Sequence, residues 1–166
     1  MTVVYLGWVA PWDNSRTFLR KMAQTANQAQ VDPLTVETAH RIVRGETPRN
    51  DTGYALAIRQ WLRDNFRFVP DQRDVDTTRE PHYLLLELAR DGKMTGDCDD
   101  LAVLGAALGL AVGLSPRFKV LEFPSLENQA GHVYAELETS SGWVDLDTTK
   151  PRGLLEQPSR TLVYPV

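Results

Sequence analysis

Cysteine is nearly absent: the 166 residues contain one, Cys98, and only three histidines. One thiol cannot close an internal disulfide, so a small fold held together by disulfides is excluded. Zinc sites draw several Cys or His from fixed short spacings, and Cys98 among Asp97, Asp99 and Asp100, with His132 far away, is a poor match. The aspartates alone lack the spacing of a calcium loop, so no metal and no cofactor is expected. Basic excess is missing too. Lys and Arg number 18 against 22 Asp and Glu, a net charge of −4, which is the wrong balance for neutralising phosphates and sets nucleic acid aside as a partner. Nor is there an uninterrupted apolar stretch of roughly 18 residues, and the opening "MTVVYLGWVAPWDN" has no basic leader. No membrane partner is expected, and the expected location is the cytoplasm.

What is present is a chain 42% hydrophobic, of a length suited to one domain with a substantial core. The expected organisation is a single domain over 1–166, with a helical amino-terminal extension (1–50), a core (51–150) and a tail or edge strand (151–166). "VVYL" reads as a short strand, and Asp13, Asn14 or Ser15 can cap an amphipathic helix after it. "DPLTVETAHRIVRG" has Asp32 as N-cap, Pro33 in the first turn and Gly45 past the end. "YALAIRQWLRDNF" spaces Leu56, Trp61, Leu62 and Phe66 for one buried helical face. "QRDVDTTRE" reads as an exposed loop, "PHYLLLELARDG" as a short helix, and Lys93 to Gly96 as a loop. "CDDLAVLGAALGLAVGL" then gives an Ala- and Gly-rich helix that other elements can approach closely, the expected central helix. Beyond Pro116, "RFKVLEF", "HVYAELE", "GWVDLD" and "RTLVYPV" alternate and favour strands. Helices first and strands afterwards predict an α+β fold with an antiparallel sheet.

The turn "TSSG" fixes a hairpin register. Centring it between Ser140 and Ser141 pairs Thr139 with Gly142, Glu136 with Asp145 and His132 with Thr149. Val133, Ala135, Leu137, Val144 and Leu146 then share one apolar face. The other face carries His132, Tyr134, Glu136, Trp143, Asp145 and Asp147, with His132 diagonal to Asp147.

A thiol in the first turn of a helix feels the positive end of the helix dipole, which favours thiolate, while three neighbouring aspartates oppose it. An imidazole partner would tip that balance, and His132 oriented by Asp147 would supply one. The bland alternatives are a packed, inert Cys98 and a structural His132; His40 and His82 read as surface or packing residues. Asp97 or Asp99 reads as a helix cap and Asp100 as an arginine's partner.

"GDCDD" before an Ala/Leu-rich helix, then "GHVYAEL", then "GWVDLDTT", resemble the transglutaminase-like superfamily of papain-type cysteine enzymes, as does "WLRDNFRFVPD" upstream. The resemblance spans about 55–149 and is similar to compact versions encoded in bacteriophage and prophage genomes. It implies a papain-like core, Cys98 as nucleophile, His132 as general base and acid, and Asp147 as orienting carboxylate. Thr148 stands where proline often follows that aspartate. The implied activity is acyl transfer from an amide of a protein or peptide substrate, hydrolysis being favoured over crosslinking. The rival is a non-catalytic module of the same fold. The backbone amide of Cys98 is the first oxyanion donor expected; Gln60, Trp61 and Asn65 are candidates for the second.

Overall fold

Two of the helices begin at side-chain caps that the sequence supplies, Asp32 and Asn50. In the computed structural model, which describes residues 4–6, 15–69, 76–122, 131–148, 158 and 160–166, helix α1 spans Ser15–Ala29 and buries Leu19, Met22, Ala23, Ala26 and Ala29 along one stripe. Asp13 and Asn14 lie outside the described residues. Helix α2 (Pro33–Val43) opens with the Asp32 side chain accepting the Thr35 N–H at 3.0 Å. Helix α3 (Asp51–Asn65) starts three residues earlier than the apolar pattern predicts, because the Asn50 side chain accepts the Gly53 N–H at 3.0 Å. Its buried stripe is Ala55, Ile58 and Leu62, continued by Phe66, while Leu56 is 48% exposed. The correction has a geometric reason: Leu56 sits about 100° around the helix from Ala55, and the small residue is the one that faces inward.

Two segments expected to be loops form short strands instead. Strand β2 (Phe66–Phe68) pairs in parallel with Met94–Gly96 (β4), and Asp76–Thr78 (β3) pairs antiparallel with Val4–Leu6 (β1). Between them, helix α4 (Pro81–Asp91) ends at Gly92, whose left-handed φ of 73° and N–H bond to the Leu88 carbonyl (2.9 Å) close it. The His82 Nδ1 lies 3.1 Å from the Asp32 carboxylate, tying the start of α4 to the cap of α2.

Helix α5 (Cys98–Ala111) is buried continuously from Asp99 to Gly109, and α1, α2, α3 and the sheet all pack on it. The sheet, in spatial order β7-β6-β5-β8, is antiparallel throughout, with β5 at Pro116–Glu122, β6 at His132–Thr139, β7 at Gly142–Asp145 and β8 at Arg160–Pro165. The predicted register is the observed one: Thr139 pairs Gly142 and Glu136 pairs Asp145. Val133, Ala135, Leu137 and Leu146 turn inward toward α5, and Phe118 joins them from β5. No helix among the described residues is long and apolar enough to cross a membrane.

The helix-to-hairpin contact is made through glycines. A Cβ at Gly109 would lie 2.3 Å from Leu137 Cδ2, and one at Gly105 would lie 2.8 Å from Leu146 Cδ1. Gly109→Ala should therefore destabilise by about 1–2 kcal/mol, overpacking outweighing the better helix propensity. Leu137→Val in the same chain should recover part of that loss. Denaturant melts of the two single variants and the double measure the coupling, and strict additivity would mean the two residues do not collide.

Candidate active site

The hairpin β6–β7 brings two of the three predicted site residues together. Pairing continues one step past β7, with the Leu146 N–H bonded to the Ala135 carbonyl at 2.9 Å. The Asp147 N–H is bonded to the Asp145 carboxylate at 2.8 Å. The His132 Nε2 and Asp147 Oδ2 are 2.7 Å apart, with both residues buried. Nε2 engaged by a carboxylate leaves Nδ1 as the nitrogen through which the ring can act on a reacting group. Thr149, the predicted partner of His132, lies outside the described residues. Across the other edge His132 pairs Leu121 of β5, and a Cβ at the preceding Gly131 would meet the Leu121 carbonyl oxygen at 2.3 Å, so the backbone approach that seats His132 requires glycine there.

Cys98 is the first residue of α5 and is half-buried. The packing of helix on strand gives α5 and β6 a common direction. Gly109 meets Leu137, and Gly105 meets Leu146, which is bonded to Ala135. Four helical residues rise about 6 Å and two strand residues about 6.6 Å, so α5 and β6 advance together in the same direction. Seven more residues of α5 and three more of β6, each about 10 Å, carry both to Cys98 and His132.

The rest of the polar face is a charged network. Glu136 is held by Arg117 Nε at 2.7 Å and Lys119 Nζ at 3.3 Å, and the Arg117 guanidinium lies 3.7 Å from the centre of the Trp143 ring. Tyr134 is buried beside His132, the ring centres 5.9 Å apart.

Of the aspartates around Cys98, Asp97 sits at the N-cap but its side chain makes no capping bond, and Asp99 lies inside the first turn; neither acts as the predicted cap. Asp100 accepts the Arg79 backbone N–H at 2.7 Å and its Nε at 3.3 Å; Arg79 also reaches Glu87 at 2.9 Å. Thr78 donates its hydroxyl to Asp99 Oδ2. The carboxylates of Asp97, Asp99 and Asp100 lie within 4.8 Å of one another, a convergence that their sequence spacing does not reveal. Among the predicted oxyanion donors, the Asn65 amide is spent on the Trp61 carbonyl (2.8 Å) and the Gln60 amide on Asp64 (2.9 Å), both within α3. Sequence reasoning also missed Asp145 as the residue whose carboxylate accepts the Asp147 N–H; an aspartate two residues ahead of a buried carboxylate was the available signal.

Burial pushes the Asp100 carboxyl up to about 6, against the lowering effect of its bonds to Arg79. The folded chain therefore binds this proton more tightly than the unfolded one. The stabilisation is full below the unfolded value near 4 and is lost as pH rises through about 6. Compared with Asp100→Asn, the wild type should lose up to about 3 kcal/mol over that interval and then run parallel to the variant. Urea melts at pH 4, 5, 6 and 7.5 check this, and a constant difference across the series would contradict it.

The transglutaminase-like superfamily's core domain matches residues 36–148, more than half of the chain. No curated protein matches the sequence. Among solved structures, a "putative cysteine protease" from Cytophaga hutchinsonii superposes with a TM-score of 0.53 at 17% identity, over 84% of this chain and 46% of its own. A "putative protease" from Parabacteroides distasonis superposes with a TM-score of 0.57 at 13% identity, over 77% of this chain and 26% of its own. The chain thus spans less than half the length of either, and at these identities the likeness is one of α+β fold. With a matching core domain, a helix opening on a cysteine and an antiparallel sheet packed along it, this chain belongs to the transglutaminase-like superfamily.

Proposed function

We propose that this protein is a thiol-dependent acyl-transfer enzyme that hydrolyses amide or peptide bonds of a protein or peptide substrate. Cys98 is the nucleophile, His132 the general base and acid, and Asp147 the carboxylate that orients the imidazole. The observation that carries the reading is the buried 2.7 Å contact of His132 with Asp147. Nδ1 of His132 takes the thiol proton as sulfur attacks the amide carbonyl carbon. The C–N bond breaks, the departing amine takes that proton, and a thioester remains. Water, deprotonated by the same nitrogen, then cleaves the thioester to a carboxylic acid and restores the thiol. The free N–H groups at the start of α5 supply donors for the oxyanion, beginning with that of Cys98. Water rather than an amine as acceptor is favoured by the description of both structural neighbours as proteases.

The rate of Cys98 alkylation by iodoacetamide should rise with an inflection well below the ~8.5 of a free thiol, and His132→Ala should abolish it. An ordinary thiol curve in both proteins would favour the non-catalytic module. Asp147→Asn, which spoils the ring's tautomer, should cut thiol-dependent turnover of a peptide substrate by on the order of 10²–10⁴-fold. Asp145→Asn retains an oxygen for the Asp147 N–H and should cost less than tenfold at equal folded fraction. Equal losses would detach Asp147 from the imidazole's role.

A further inference from the structure

Two of the aspartates that flank the thiol each keep one oxygen without an obvious partner. Asp97 Oδ1 and Asp99 Oδ1 are buried and accept no hydrogen bond from any donor among the described residues, although Asp99's other oxygen is bonded to the Thr78 hydroxyl. Asp99 is only 2% exposed. Two ionised carboxylates cannot bond to each other, and leaving both oxygens buried and bare costs several kcal/mol. One hydrogen between them satisfies both. Asp100 cannot supply it, because both of its oxygens already accept from Arg79.

We infer that Asp99 is held as a neutral carboxylic acid whose O–H is donated to Asp97, so that the residues on either side of Cys98 share a single negative charge. The groups around Asp99 agree with this. From its own helix and cap it faces Asp97 and Asp100; from β3 and the residue after it come Thr78 and Arg79; and the charge of Arg79 is drawn toward Asp100 and toward Glu87 of α4. Burial first, then the bond to and charge of Asp97, then the charge of Asp100, push the Asp99 carboxyl well above the ordinary range, outweighing Thr78. A divalent cation is the other way to satisfy converging carboxylates, but it would compete with the Arg79 cation already bonded to Asp100, whereas a shared proton displaces nothing.

The consequence bears on the proposed nucleophile and rests on that reading of Cys98. Three ionised aspartates would hold the thiol protonated. With Asp99 neutral and Asp100 offset by Arg79, one unbalanced negative charge remains against the helix dipole and the imidazole. Asp99 is thus a positioning residue that sets the charge at the sulfur without touching substrate.

Two measurements test this. In wild-type protein labelled with carboxyl-13C aspartate, one resonance at pH 7 should keep the chemical shift of a protonated acid. If every aspartate resonates as a carboxylate at pH 7, the shared proton is refuted. In the alkylation assay, Asp99→Asn removes no charge and should leave the Cys98 inflection within about 0.3 pH unit of wild type, whereas Asp97→Asn should lower it by about one unit. A fall of a unit or more in Asp99→Asn would show that Asp99 is ionised in the folded protein. The carboxyl resonance is read without any thiol chemistry, so an inert Cys98 would overturn the enzyme reading and leave the proton decided on its own.

Discussion

The close approach of α5 to the β6–β7 hairpin governs the rest of the structure. Gly105 and Gly109 leave no side chain between helix and strands, so Leu146 and Leu137 seat directly against the helix backbone. A contact at this range constrains rotation as well as distance, since a Cβ at either position would force the buried leucine side chain to shift. Helix and strand rise by similar amounts between these two contacts, so α5 and β6 run in the same direction along the interface. The buried run from Asp99 to Gly109 is what this packing stabilises, and it explains why the helix is apolar on every side.

That depth of burial creates an electrostatic difficulty at the amino end of the helix. Three carboxylates sit in its first turn and cap, two of them almost without solvent. Ionised carboxylates at a helix start gain from the dipole, but dehydration costs more than a screened dipole returns. The chain resolves this with groups brought from β3 and the turn that follows: Arg79 for Asp100 and Thr78 for Asp99. The small β1–β3 sheet therefore has an electrostatic role that its size would not indicate. Gly96 belongs to the same arrangement, because a Cβ there would lie 2.3 Å from the Asp100 carboxylate and 2.8 Å from the Arg79 guanidinium.

How much of this was legible beforehand depended on whether the signal was local. The hairpin register was readable because a four-residue turn and a strict alternation specify it jointly, and it singled out Asp147 over Asp145 before any coordinates. Helix α2 was readable because Asp32, Pro33 and Thr35 lie within one turn. Strands β3 and β4 were not, since three residues carry no period and each depends on a partner far along the chain. The face of α3 was misread through Leu56, because hydrophobicity ranks Leu above Ala while Ala55 is the residue that faces inward. The aspartate cluster escaped for the same reason as the short strands: its partners stand about twenty residues upstream, and nothing in "GDCDD" announces them.

The orientation of the imidazole rests on backbone rather than on side-chain contacts alone. At its tip the hairpin is pinned to the start of α3, where the Asp51 carboxylate accepts the Ser140 N–H at 2.7 Å and its hydroxyl at 2.8 Å, and Thr52 meets Ser141 at 3.1 Å. At its base, Gly131 lets β6 close against Leu121 of β5. Between these two anchors the strand cannot slide by one residue without turning Val133, Ala135 and Leu137 out of the core. Asp145 then accepts the Asp147 N–H just past the end of β7, and the Asp147 carboxylate meets a ring whose position is already determined. A constellation supported this way is held by rigid elements on three sides, which is the condition for a short, buried His–Asp contact to survive without substrate to organise it.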